Sequence, residues 1–147
     1  MDYFHLQLPQ DDLLNISSLG LAHLGDSVYE LMARAWLCLQ GKTTAKHLHK
    51  ATVHLVSAPA QAKMCQVILP LLSPEEESVF RRGRNTAPHS IPKAASRKEY
   101  QTATALEALF GWLYLRGETQ RLNQLFDLMT TQMEGLLPQE GDPHHAP

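Results

Sequence analysis

The sequence predicts an all-α fold, and three observations carry that reading. Apolar residues recur at three- and four-residue steps through most of the chain. No stretch alternates apolar and polar residues over the length of a strand. Ser-Pro and Ser-x-x-Glu starts are followed by Gly or Pro stops at helix-length intervals. With 147 residues, 44% of them hydrophobic, the chain can bury one core without staples. One domain over 1–137 is expected, with a disordered tail over 138–147.

The first predicted helix runs from Ser17 or Ser18 to Gln40. Leu21, Leu24, Val28, Leu31, Ala35 and Leu39 form its apolar face, and Gly41 is its stop. A second runs from Thr44 to Val56. Ser57 caps a third, in which Pro59 falls in the first turn and Pro70 ends the run. In "SPEEE", Ser73 is an N-cap, Pro74 the first helical residue and Glu76 the capping-box partner, so the acidic run has a structural reading. That reading argues against a helical nucleotide pyrophosphohydrolase, for which the glutamates would be the lure. Gly83 to Pro92 reads as a loop. Ser96 and Glu99 form a second capping box, opening a helix that ends at Gly117. A last amphipathic helix starts near Thr119.

Cys38 and Cys65 have no metal-ligand spacing and are expected to be reduced core residues. The start lacks a signal-peptide pattern and no apolar run approaches a membrane span, which predicts a cytoplasmic protein. The net charge is only −2, but it is unevenly distributed. Residues 1–30 hold five acids and no Lys or Arg; residues 31–98 hold eleven Lys and Arg against Glu75, Glu76 and Glu77. A phosphate polymer responds to local charge, so this middle segment suits nucleic acid as well as it suits a merely solvated face.

Two acids stand in apolar helical contexts, Asp26 and Glu107, each near a glycine: Gly25 adjoins Asp26 and Gly111 lies one turn past Glu107. A glycine inside a helix costs about 1 kcal/mol relative to alanine, so it suggests close approach by another backbone or a ligand. Two carboxylates where such helices cross could hold a hard divalent cation and serve phosphodiester hydrolysis. They could equally be helix acids bonded to neighbours.

"LGDSV" at 24–28 resembles the ribonuclease III signature, and "TALEALFGWLYL" at 104–115 resembles that family's second catalytic segment. With "HKATVHLVSAPAQA" at 49–62 and "RRGRNTAPHSIPK" at 81–93, the chain most resembles the Mini-ribonuclease III family. The resemblance implies a ribonuclease III-like helical bundle without a double-stranded-RNA-binding domain. It further implies a homodimeric endoribonuclease that uses Mg2+, with Mn2+ as a substitute, to cut double-stranded RNA into 5′-phosphate and 3′-hydroxyl ends. Asp26 and Glu107 become the catalytic metal-binding carboxylates. Ala22 and Thr104 stand where the larger enzymes carry two more acids, and Glu30 is an outer candidate.

RNA contacts are expected first from Arg81, Arg82, Arg84, Asn85 and Lys93 in the loop segment, then from Lys46, His49, Lys50 and Gln61. Gly25 is expected to allow helix packing across a two-fold dimer interface. The family role implied is maturation of the 23S ribosomal RNA precursor, with a ribosomal protein as a conceivable helper. The rival reading is a non-catalytic RNA-binding module that keeps the fold.

Overall fold

Helix α6, Arg97–Arg116, is the element around which the others are arranged. Its sequence is apolar or small on almost every side, a pattern that demands burial all round rather than along one stripe. The computed structural model describes residues 1–86 and 96–137. The preceding helices are α1 (Gln10–Leu14), α2 (Ser18–Leu39), α3 (Ala45–Val56), α4 (Ala58–Cys65) and α5 (Pro74–Asn85), and α7 (Thr119–Leu136) ends the bundle. Helix α6 touches α1, α2, α4, α5 and α7, and no strand occurs among the described residues.

The helix starts are those the sequence chemistry dictates. Ser17 and Thr44 each accept a hydrogen bond from the backbone N–H three residues on. Ser57 ends α3 and caps α4. Ser73 with Glu76, and Ser96 with Glu99, close complete capping boxes. Gly117 ends α6 at φ 80°, and a side chain there would strike the Leu6 carbonyl at 2.6 Å, because residues 6–8 lie across the helix end and Leu8 donates to the Leu115 carbonyl.

Four details differ from the sequence reading. Helix α1 is an additional single turn that buries Leu13. Helix α4 stops at Cys65 and the chain turns into a 3-10 turn at Leu69–Leu71; Pro70 has no N–H to give the Gln66 carbonyl, so an α-helix cannot run on unbroken through it. Helix α5 continues to Asn85, taking into a helix residues that read as loop. The apolar face of α2 is rotated in its second half: Leu21 and Val28 are buried as expected, but Ala22, Gly25, Tyr29, Ala33 and Leu37 are buried with them, whereas Leu31, Ala35, Cys38 and Leu39 are exposed. The rotation follows from packing on Gly25, the one place where α2 can come closest to α6. Cys65 is in the core as expected, and burial pushes its thiol up to about 12.

Tyr29 joins three elements. Its ring is fully buried, edge-on to Phe110 of α6 and Phe126 of α7 at 6.1 and 6.4 Å. Its hydroxyl donates to the Leu55 carbonyl at 2.7 Å, taking up a group that α3 leaves free at its end. Glu76 and Arg121 fasten α5 to α7: the guanidinium donates Nε to Oε2 and Nη2 to Oε1, both at 2.8 Å, and Nη2 also reaches the Leu71 carbonyl.

Candidate active site

The site begins with two glycines. A Cβ on Gly25 would lie 1.6 Å from the Glu107 carbonyl oxygen, and one on Gly111 would lie 2.1 Å from the Leu21 carbonyl oxygen. Helices α2 and α6 therefore cross backbone on backbone, and the carbonyl that Gly25 meets belongs to the acid itself. Asp26, next along α2, is exposed, while Glu107 is half-buried. The crossing brings their carboxyl groups into contact. Glu107 is pushed up to about 9, first by burial, then by a hydrogen bond with Asp26 that holds its proton, then by the charge of Asp26. The same environment raises the Tyr29 hydroxyl, through burial first and the Glu107 charge second.

Two facing carboxyl groups could hold a cation. Their hard oxygens and the solvent-open side at Asp26 suit a magnesium-like ion, which keeps several waters and needs few protein ligands. No cluster of three or more acids, histidines or cysteines that could hold a metal occurs among the described residues. Ala22 is buried with no ligand atom, and Thr104 donates its hydroxyl to the Tyr100 carbonyl, one turn back on its own helix. The acids that could serve as donors here are Asp26 and Glu107, with Glu30 one turn along α2 and engaged by Arg34 at 3.2 Å.

The remaining named residues divide. Arg81, Arg82, Arg84 and Asn85 are exposed on the last turns of α5, on a helix rather than a loop. Buried Gly83 sets that helix against Ala105 and Ala108 of α6. Lys46, His49 and Lys50 are exposed on α3. Lys93 lies outside the described residues. Two assignments are corrected. Gln61 is 2% exposed and donates to the Val56 carbonyl at 3.3 Å, so it secures the α3–α4 joint and is turned away from any surface RNA. Gly25 is buried within the chain against α6, so its close approach is internal and leaves nothing for a subunit interface. Tyr29, to which the sequence reading gave no role, donates to the Leu55 carbonyl of α3 and feels the charge of Glu107; its place one turn after Asp26 was the available signal.

The Ribonuclease III domain family matches residues 19–118. A Mini-ribonuclease 3 from Thermoanaerobacter sp. strain X514 is 41% identical over 127 residues, covering 86% of this chain and 89% of its own. A second, from Clostridium tetani, is 37% identical over 139 residues, covering 94% and 92%. The chain belongs to the Mini-ribonuclease 3 family. A crystal structure of a protein from Fusobacterium nucleatum superposes with a TM-score of 0.74 at 29% identity, covering 82% of this chain and 98% of that one. The Mini-ribonuclease 3 resemblance read from the four motifs and the all-helical class both stand, and membership supports an RNA-cleaving nuclease. The matched span begins within α2 and ends just past α6, so it contains both acids and both glycines of the crossing.

Proposed function

We propose that the chain is a metal-dependent endoribonuclease that hydrolyses double-stranded RNA at the Asp26–Glu107 pair. The carrying observation is the contact between these two carboxyl groups at a backbone-to-backbone helix crossing, in a Mini-ribonuclease 3 family chain. Asp26 and Glu107 would hold Mg2+, or Mn2+ in its place. When bound, the ion supplies Lewis-acid chemistry that readies water for attack and offsets charge on the phosphoryl oxygens.

The protein's part follows from its own geometry. Glu107 would give up its proton to serve as a ligand, and its half-buried position holds the carboxyl group from the α6 side. Asp26 presents its carboxylate to solvent, on the side from which the attacking water and the RNA strand enter. Water adds to phosphorus in line with the departing 3′-oxygen, that P–O bond breaks, and the oxygen leaves as a 3′-hydroxyl while the phosphate stays on the 5′ side. Arg81, Arg82 and Arg84 on α5, with Lys46 and Lys50 on α3, bind the backbone by charge, and Asn85 and His49 by hydrogen bonds; Lys93 is assigned there from sequence alone. A-form RNA is read mainly through its shape, phosphates and 2′-hydroxyls, which suits cationic helices.

The reading extends to a homodimer in which each active centre cuts one strand. The exposed Leu31, Ala35 and Leu39 of α2 replace Gly25 as its apolar contact. The cellular substrate assigned is the 23S ribosomal RNA precursor, in the cytoplasm, with a ribosomal protein as an aid to presentation. No helix among the described residues is long and apolar enough to cross a membrane. The rival reading, a non-catalytic RNA-binding module, draws on Ala22 and Thr104, which leave only two acids at the crossing.

The test is a denaturing gel of end-labelled double-stranded RNA with wild type and Asp26→Asn, each with magnesium and with chelator. Cleavage by wild type with magnesium only is the expected result. Binding without cleavage in every condition, on a structured ribosomal precursor as well as a simple duplex, refutes the nuclease reading and favours the module.

A further inference from the structure

The carboxyl end of α3 is held by side chains from two other elements. The last carbonyls of an α-helix have no partner within it, and here three consecutive ones take side-chain donors. Ser57 Oγ donates to the His54 carbonyl at 3.4 Å, the Tyr29 hydroxyl to that of Leu55 at 2.7 Å and Gln61 Nε2 to that of Val56 at 3.3 Å. Ser57 is the local cap, whereas Tyr29 comes from α2 and Gln61 from α4, and both of these side chains are buried.

Tyr29 refers that end of α3 to the two helices that carry the acids. It follows Asp26 by three residues on α2, and its ring is edge-on at 6.1 Å to Phe110, three residues past Glu107 on α6. Gln61 has a different character. Its Oε1 is the one buried side-chain oxygen or nitrogen without a protein partner among the described residues. An orphaned buried acceptor costs at least what one net hydrogen bond returns, so the amide adds little stability over an apolar side chain of the same shape. What it does supply is a fixed place for the Val56 carbonyl, and so for the end of α3.

We infer that Tyr29 and Gln61 are positioning residues for the RNA: by holding the last two carbonyls of α3 they fix Lys46 and Lys50 relative to the Asp26–Glu107 pair. This rests on the reading that α3 touches RNA at a nuclease site. Lys46 and Lys50 are exposed on α3, nine and five residues before Leu55. At the rise of an α-helix they stand roughly 14 and 8 Å from the joint. A tilt of about 10° at the joint carries Lys46 through roughly 2 Å, and a reacting group misplaced by about 1 Å can lose on the order of a hundredfold in rate. A duplex presents phosphates along its whole length, so displaced lysines still find one. Loosening the joint therefore acts on where the duplex sits and spares how tightly it binds.

The probe is an end-labelled RNA duplex of defined sequence. The full chain is compared as wild type, Tyr29→Phe, Gln61→Met and Lys46→Gln/Lys50→Gln, at a temperature where each is fully folded. Affinity is measured in chelator by fluorescence anisotropy, and cleavage with magnesium under single-turnover conditions at saturating enzyme, on gels that resolve single nucleotides. Tyr29→Phe leaves the buried Leu55 carbonyl without its donor and is expected to unfold earlier in urea. Gln61→Met removes the amide together with its orphaned oxygen and is expected to unfold at the wild-type midpoint or later. Despite these opposite effects on stability, both variants are expected to bind the duplex within about twofold of wild type, to cleave at least about tenfold more slowly and to spread their cuts over neighbouring phosphates. If both cut at the wild-type rate and positions, or lose only affinity, the inference is overturned and the two groups serve the fold alone. If the lysine variant binds as tightly as wild type, α3 does not touch RNA, and the inference falls with that reading. If wild type with magnesium cuts neither this duplex nor a structured ribosomal precursor, the nuclease reading falls and takes the inference with it.

Discussion

Gly25→Ala changes one hydrogen into a methyl group, and its consequence can be worked from the crossing of α2 and α6. The new Cβ would sit 1.6 Å from the Glu107 carbonyl oxygen and 2.8 Å from the Gly111 nitrogen, against an ordinary contact of 3.4 Å or more. Both obstacles are backbone atoms, so no side chain can swing away. The helices must separate by roughly 2 Å. Over a contact patch on the order of 80 Å2 this opens about 150 Å3, which at ~24 cal/mol per Å3 costs about 4 kcal/mol. Alanine returns about 1 kcal/mol through its better helix propensity, leaving a net loss near 3 kcal/mol. In a domain whose whole stability is of order 5–15 kcal/mol, this is a large shift of the urea midpoint. Gly135→Ala is the control: that glycine also lies inside a helix but meets nothing within 4 Å, so it should be neutral or gain up to ~1 kcal/mol. The assay is equilibrium urea unfolding of wild type and both variants, with slopes compared. A Gly25→Ala protein that loses less than about 1 kcal/mol would refute the claim that the two backbones touch. Because the displaced atom belongs to Glu107, cleavage should fall further than stability alone explains.

Four further outcomes follow from the same geometry. Glu107→Gln should reduce duplex cleavage by at least about a thousandfold while leaving duplex affinity in chelator within a fewfold of wild type; retained turnover would remove Glu107 from the site. Since the metal-free pair holds a proton on Glu107 up to about 9, metal must displace it. Calorimetric titration with Mn2+ should therefore show proton release, with apparent affinity rising toward that pH, and the absence of any release would count against Glu107 as a ligand. Arg121→Ala leaves Glu76, only 5% exposed, without its guanidinium and should cost about 3 kcal/mol at neutral pH. Arg121 and the Ser73 cap hold the Glu76 carboxyl below its usual range, so this stability is present above the ordinary carboxylate pKa and lost as pH falls through the lowered one. The wild-type advantage in thermal unfolding should accordingly shrink in acid, and a constant gap would refute it. Arg82→Ala/Arg84→Ala should weaken duplex binding and flatten the salt slope by about one for each phosphate that is no longer neutralised; equal slopes would dissociate α5 from the RNA.

Much of this architecture was legible because the signals were local. A Ser-x-x-Glu start satisfies its own orphan N–H groups, so Ser73 and Ser96 mark helix starts wherever they occur. The Gly25–Asp26 and Glu107–Gly111 neighbourhoods predicted a close crossing because an interior glycine is costly without one. The failures involve relations between elements. The period of α2 admits two faces, and only the choice of Gly25 as the contact point turns Leu31, Ala35 and Leu39 outward. A polar residue on a basic, acid-free stretch reads as a surface group, yet Gln61 turns inward because Val56 ends α3 with a carbonyl in need of a donor. Gly25 was rightly read as permitting close approach and wrongly given to a second subunit, since sequence alone does not distinguish an internal partner helix from an external one.

The crossing also shows why structure and chemistry are hard to separate here. A carboxylate pair wants exposure to keep its charge and proximity to bind one ion, and these demands conflict on two ordinary helices spaced by their side chains at about 8–10 Å. Removing Cβ at Gly25 and Gly111 lets the backbones touch, which brings Asp26 and Glu107 together without lengthening either side chain. Glu107 is then half-buried and would be isolated in the core, were it not beside an exposed Asp26 that opens to solvent. The two glycines therefore set the distance, and the asymmetry of exposure sets which acid keeps the proton. A substitution at either glycine acts on the site through geometry alone. Asp26→Asn or Glu107→Gln acts through charge with the geometry kept. If the two classes of variant lose cleavage in different ways, the first with raised metal demand and altered stability and the second with stability intact, the crossing is the device that makes the pair functional.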